Sequence, residues 1–152
     1  MLEMPQLQCF QRLFSNIYWR KTMPDANPRY EKIPRPESIE AFRTYVSGHS
    51  KVSEVQQLET VVFRVQKAYL TNIGVVLTNI YTVSQADVLE ILSGSYGITV
   101  NAIVTMSAWN GYTDEAKDYA ESQNVGLFTF KEFMGALNFD GHRFTTYRPK
   151  KD

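Results

Sequence analysis

The chain has 152 residues, 43% of them hydrophobic and 13% aromatic, and its 16 Lys/Arg balance 16 Asp/Glu. That is enough apolar side chain for one domain with a real core, which excludes a disordered chain. No apolar run reaches the roughly 18 residues of a membrane-crossing helix, and a single cysteine, Cys9, excludes an internal disulfide framework and a cysteine-rich zinc site.

The zero net charge hides an asymmetry. Residues 1–52 carry 8 Lys/Arg against 5 Asp/Glu, residues 53–138 carry 4 against 9, and residues 139–152 carry 4 against 2. An acidic centre with basic ends is the wrong pattern for a protein that binds nucleic acid by neutralising phosphates.

In residues 1–22, Leu7, Phe10, Phe14 and Ile17 fall at helical spacing, and Arg12, Arg20 and Lys21 stand against one acid, Glu3. A basic, amphipathic, acid-poor start resembles a mitochondrial targeting segment, and it equally suits a helix that lies on a partner or a membrane surface. Residues 23–36 (MPDANPRYEKIPRP) hold four prolines, which bias the backbone towards extended conformations. Such an arm cannot order itself, so it needs the domain's own surface or a neighbouring subunit to hold it. Phe10, Phe14, Tyr18 and Trp19, with Arg20 and Tyr30, fall outside the expected core and are candidate partner-binding residues, because aromatic and Arg side chains anchor interfaces.

From Pro36 the pattern becomes regular. ESIEAFRTYV places Ile39, Phe42 and Val46 on one helical face, with Gly48 as its stop. SEVQQLETVVFRVQKAYL opens on a capping box, Ser53 to Gln56, and its stripe of Val55, Leu58, Val62, Val65 and Tyr69 predicts a helix of about five turns. GVVLTNIYTV reads as a strand. SQADVLEILSG reads as a helix with a capping box, Ser84 to Asp87. TVNAIVTMS reads as a covered strand, and Thr113 caps a helix whose first turn carries Asp114 and Glu115. VGLFTF is a further strand and KEFMGAL a last short helix. The alternation predicts a small, largely parallel, three-layer α/β domain over residues 37–138, preceded by an arm (1–36) and followed by a basic tail (139–152).

The stretch AIVTMSAWNGYTDEAKDYAESQNVGLF, through Ile103, Val104, Thr105, Tyr112, Thr113, Glu115, Ala116, Tyr119, Ala120 and Leu127, resembles the C-terminal half of Mrr-type restriction-endonuclease-like folds. The resemblance implies an ancestral nuclease core. Such nucleases need an Asp and a Glu or Gln to hold Mg²⁺, with a Lys two residues after the latter. Residues 68–116 contain no Lys or Arg, and their acids are Asp87, Glu90, Asp114 and Glu115. No position matches the catalytic motif, so none is carried over.

Other chemistry is weakly supported. SGSYG (93–97) lacks the strand and first glycine of a nucleophile elbow and reads as a turn. His49 and His142 stand apart from any Cys or carboxylate at metal spacing. Asp87 and Glu90 are three apart on one helix, but the first is a cap partner and the second a solvated residue. There is no phosphate-binding loop and no glycine-rich dinucleotide turn. The expectation is therefore no catalytic residue, no metal and no cofactor. The expected role is a non-catalytic structural subunit of a larger mitochondrial assembly, with a respiratory or ATP-synthase complex ahead of a mitochondrial ribosome. Outside mitochondria the expectation is an intracellular soluble protein. The alternatives are a nucleic-acid-binding protein or nuclease of the same fold, and a small-molecule binder with Asn79, Tyr81 and Trp109 lining its pocket.

Overall fold

The computed structural model describes residues 32–149. The candidate partner-binding residues Phe10, Phe14, Tyr18, Trp19, Arg20 and Tyr30 lie outside the described residues. Helix α1 (Pro36–Ser47) starts on a proline, whose fixed backbone suits the first helical turn, and it buries Phe42 and Val46 as their spacing predicts. Strands β1 (Val52–Glu59), β2 (Val62–Lys67) and β3 (Ile73–Thr78) follow. The short strand β4 (Thr82–Val83) leads into α2 (Gln85–Leu92), β5 (Ala102–Thr105), β6 (Gly111–Tyr112) and α3 (Asp114–Ser122). Strand β7 (Gly126–Thr129), α4 (Phe130–Ala136) and α5 (His142–Thr145) complete the order.

The helix expected over residues 53–70 is a β-hairpin. Val55 lies opposite Val65 and Glu59 opposite Val62, in antiparallel register. Val61, Val62, Phe63 and Val65 are all buried. Residues 61–63 are buried in succession and would span about 200° of a helix, more than one stripe buries, whereas a strand inside a sheet covered on both faces buries successive residues. The β-branched and aromatic density of VVFRV therefore outweighs the helical spacing. Ser53, expected as a helix cap, instead donates its hydroxyl across the hairpin to the Gln66 carbonyl at 3.0 Å.

That hairpin also changes the sheet. Its order is β1-β2-β3-β5-β7, with β1–β2 and β2–β3 antiparallel and β3–β5 and β5–β7 parallel. The sheet is mixed instead of largely parallel, because the segment read as a helix supplies two antiparallel ladders. Helices and strands share one α/β fold all the same. Along β5 and β7, neighbouring side chains enter different cores, as a period of two demands. Val104 and Phe128 join Phe42, Phe63, Phe133 and Phe144, whereas Ile103 and Leu127 join Val88, Ala116 and Ala120.

Local signals fix the helix starts in this half. Ser84 and Asp87 form the expected capping box, and Thr113 Oγ1 accepts from the Ala116 N–H. Thr129 and Glu132 form another box at α4. Residues 139–149 pack back on the domain: Phe144 is buried and the Phe139 ring stacks on Tyr147. Among the described residues no helix is long and apolar enough to cross a membrane.

Candidate functional site

Strands β3, β5 and β7 run in one direction and finish at Thr78, Thr105 and Thr129. Ligands of open α/β sheets sit at this carboxyl end. Here the end of β3 is covered by the chain itself. The Thr78 hydroxyl and the Asn79 N–H both donate to the Lys32 carbonyl, at 3.0 and 2.9 Å. Ile33 packs against the core and Pro34 is buried. The Lys32 amine lies 2.6 Å from Glu90 Oε1 and 3.8 Å from Asp87 Oδ1. At least at its last residues, the proline arm is held by the domain's own surface.

The remaining polar groups of this end are satisfied within the fold. Thr105 Oγ1 donates to the Ile80 carbonyl at 2.8 Å. Asn110 Nδ2 donates to Thr105 Oγ1 at 2.8 Å and to Asn79 Oδ1 at 3.1 Å. Thr129 Oγ1 accepts from the Glu132 N–H. No strand-end hydroxyl is left aimed at a substrate, which is not how a nucleophile or general base is presented.

Strands β4 and β6 pair in parallel just beyond, with the Gly111 N–H donating to the Tyr81 carbonyl at 2.7 Å. The pair carries Tyr81 and Trp109 into solvent, 69% and 82% exposed. Rings that exposed line no enclosed pocket, so Asn79, Tyr81 and Trp109 make a surface feature. Glu59 ends β1 on the same rim. Burial raises its carboxyl above the ordinary value, and its Oε1 has no hydrogen-bond partner among the described residues.

The most perturbed cation of the fold is Lys117, 1% exposed in the first turns of α3. Gly126 faces β5, since its N–H donates to the Asn101 carbonyl. Strand alternation therefore turns the Leu127 carbonyl out to the open edge of β7. The Lys117 amine takes that carbonyl at 2.6 Å and stands 4.2 Å from the centre of the Phe128 ring. Burial pushes its pKa down to about 8; Arg148 pushes the same way, while Glu132 and Glu121 oppose. Tyr112 donates to Glu132 Oε1 at 2.8 Å, and burial with that hydrogen bond drives its hydroxyl far above the ordinary phenol range. An amine near neutrality is a nucleophile only where a substrate can reach it. This one is enclosed by rings and closes a sheet edge.

At the opposite end, Lys67 is 4% exposed and donates its amine to the Phe139 carbonyl, with burial lowering its pKa and Asp140 opposing. A cavity of about 270 Å³ lies there, lined by Asn72, Asn101, Asn124, Asp140 and His142 among others. Three of its polar side chains are in use: Asn72 accepts from the Lys67 N–H, Asn101 from the Gly74 N–H and Asp140 from the Thr71 hydroxyl.

Comparison with protein-family models, curated proteins and solved structures found no match to this chain. The site residues must therefore speak for themselves. His49 is held structurally, with Nε2 2.9 Å from the Met134 carbonyl and Nδ1 accepting from the Lys51 N–H. Among the described residues, no group of three or more His, Cys, Asp or Glu could hold a metal ion. Asp87 serves the Ser84 cap, and it and Glu90 both face the Lys32 amine, which pairs them with a cation. SGSYG is a turn that places Tyr96, whose hydroxyl donates to the Ile91 carbonyl and whose ring closes over Gly94. Sequence reasoning missed Lys117 and Glu59, and it placed Lys67 near the end of a helix, whereas Lys67 ends strand β2. For Lys117 a signal existed, since it shares the apolar stripe of Thr113, Ala116 and Ala120 on α3.

Proposed function

We propose that the chain is a non-catalytic interaction subunit, docking into a larger assembly through its aromatic N-terminal residues and the rings at the carboxyl end of its sheet. The observation that carries this reading is that carboxyl end. Its hydroxyls and amides are used internally, its strand end is covered by Lys32–Pro34, and what faces water is Tyr81 and Trp109. Exposed aromatic side chains without a pocket suit contact with a macromolecule.

The scaffold reading is a restriction-endonuclease-like core that has lost its chemistry. A helix, three antiparallel strands and a parallel strand–turn–helix–strand support it. So does β3, IGVVLT, buried along its whole length with no acid or lysine to hold magnesium at a phosphate. The basic, amphipathic residues 1–22 support a mitochondrial setting. In that setting the proposed role is an accessory subunit of a respiratory or ATP-synthase complex, or of the mitochondrial ribosome.

Sedimentation of native extracts tests the reading. The chain should run far above its own 17.5 kDa, and Phe14→Asp with Trp19→Asp should return it to that mass. A wild-type chain that sediments alone overturns the proposal, as does magnesium-dependent cleavage of DNA or RNA by the purified protein.

A further inference from the structure

Asparagine is thermolabile, because the backbone nitrogen that follows it can attack its side-chain amide. In this sequence only Asn110 is followed directly by glycine, the residue whose backbone turns most freely to make that attack. In the reaction the Gly111 nitrogen bonds to Asn110 Cγ, the Cγ–Nδ2 bond breaks, and ammonia leaves with the Gly111 proton. Water then opens the resulting imide at either carbonyl, giving aspartate or its isoaspartyl isomer. The fold does not ask for glycine at this position. A Cβ on Gly111 would meet no atom within 4 Å, and its backbone is not left-handed. At Gly74 and Gly126, by contrast, a Cβ would run into the Thr99 carbonyl or the Phe128 ring.

What the fold does supply is a lock on both reacting groups. The Gly111 N–H donates to the Tyr81 carbonyl at 2.7 Å, and the Asn110 N–H to the Ser107 carbonyl at 3.0 Å. Asn110 Nδ2 donates to Thr105 Oγ1 at 2.8 Å and to Asn79 Oδ1 at 3.1 Å. The carboxamide cannot turn onto the Gly111 nitrogen while these bonds stand. Gly111 is held in the β4–β6 pair, where Thr82 lies opposite Gly111 and Val83 opposite Tyr112. A ladder this short, carrying the exposed Tyr81 and Trp109 beside it, is of the kind that opens locally without global unfolding.

We infer that Asn110 is a modification site gated by the fold: it deamidates from the conformation in which β4–β6 has opened, and the product keeps the pair from closing as before. An aspartate at position 110 brings acceptors alone to Thr105 Oγ1, whose one proton goes to the Ile80 carbonyl, and to Asn79 Oδ1. An isoaspartyl residue lengthens the main chain by one carbon and carries Gly111 off the Tyr81 carbonyl. The surface that holds Tyr81 and Trp109 is then altered by a step that does not reverse. Its consequence for assembly rests on the interaction reading above; the chemistry at Asn110 stands without it.

The purified full chain is incubated at neutral pH, folded and in urea, and peptide mass spectrometry follows conversion at position 110, with chromatography separating the isoaspartyl product. Conversion should be slow in the fold and many-fold faster in urea. Asn79→Ala with Thr105→Val removes both acceptors of Asn110 Nδ2 and should speed conversion in the folded chain, a dispersed amide spectrum showing that this variant is folded. Gly111→Ala should keep the unfolding midpoint and slow conversion in urea several-fold. Asn110→Asp should strip the Gly111 N–H of its protection from hydrogen exchange. Equal rates in the fold and in urea overturn the gating, and no conversion in urea overturns the site. An Asn110→Asp chain whose Gly111 N–H stays protected overturns the effect on the pair. Sedimentation in extracts is a separate readout, so this inference and the interaction reading can fail independently.

Discussion

At the amino end of the parallel strands, Lys67 turns its amine inward to the Phe139 carbonyl and Thr71 ties down Asp140, so charge is drawn into the fold to seal it. At the carboxyl end the strand-end threonines are used internally, while Tyr81 and Trp109 are left in water. One end buries its cation, and the other leaves two rings in water, as the β2–β3 turn at the first end does with Tyr69. Each inverts the usual placement of those side chains. A buried lysine needs a carbonyl and aromatic faces to be tolerated, and the fold supplies both. Tyr81 and Trp109 are not covered by the other described residues. The difference separates two kinds of residue: Lys67 and the Lys117 edge hold the domain together, and Tyr81 and Trp109 bury little of themselves in it.

The largest break in this comparison comes from Lys117→Ala. It removes a buried stem and leaves the edge carbonyl of Leu127 without its donor, so urea unfolding should show a loss of about 2–4 kcal/mol. Lys117→Met keeps the stem while removing the charge and the donor to the Leu127 carbonyl, and it should cost less, because it leaves no cavity and avoids the desolvation of an ion. Equal losses in the two variants would show that the amine matters more than the packing.

A pH series sharpens the same point. The Lys117 amine titrates near 8 in the fold against 10.5 ordinarily, so below pH 8 both states are charged and the fold bears the full cost of the buried ion. Between pH 8 and 10 the unfolded chain holds more protons than the folded one. Stability therefore rises over that window, by on the order of 1–2 kcal/mol. Above pH 10 the trend reverses. Tyr112 is held far above its ordinary value and Tyr96 is pushed up to about 12 by burial, with Glu59 and Glu90 adding to the rise. These two phenols then ionise more readily in the unfolded chain. Lys117→Met should flatten the rise to the share that Lys67 supplies, its pKa being lowered in the same direction. An unchanged slope in that variant would refute the assignment.

At the carboxyl end, Asn110→Ala tests how far the polar network is structural. It leaves Asn79 Oδ1 without its donor and removes one bond to Thr105 Oγ1. The expected loss is about 1 kcal/mol by thermal unfolding.

The halves of the fold differ in how plainly they are written in the sequence. Where Ser84, Thr113 and the acids after them fix helix starts by bonds spanning three residues, the local pattern decides the structure, and α2 and α3 follow it. The β1–β2 hairpin has no such mark. Its turn, Thr60–Val61, contains neither glycine nor asparagine, and Ser53 with Gln56 imitates a capping box. Pairing of β2 with β3 on its other side, outside the segment itself, decides the outcome. The burial of Lys117 is likewise decided from outside its helix, by Phe128 of β7 and Tyr112 of β6. The rings of Tyr81 and Trp109 were visible as residues, but their exposure depends on the β4–β6 pairing that lifts them off the core.

The smallest effect on stability belongs to the residues with the largest proposed role. Tyr81→Ser with Trp109→Ser removes two rings that bury little of themselves against the domain, so the unfolding midpoint should move by no more than about 0.5 kcal/mol. Lys117→Ala, at a residue no larger than Trp109, should cost several times that. If the double serine variant unfolds as early as Lys117→Ala, the rings are part of the core and the surface reading is lost. If it keeps its stability, the rings belong to the surface and not to the core.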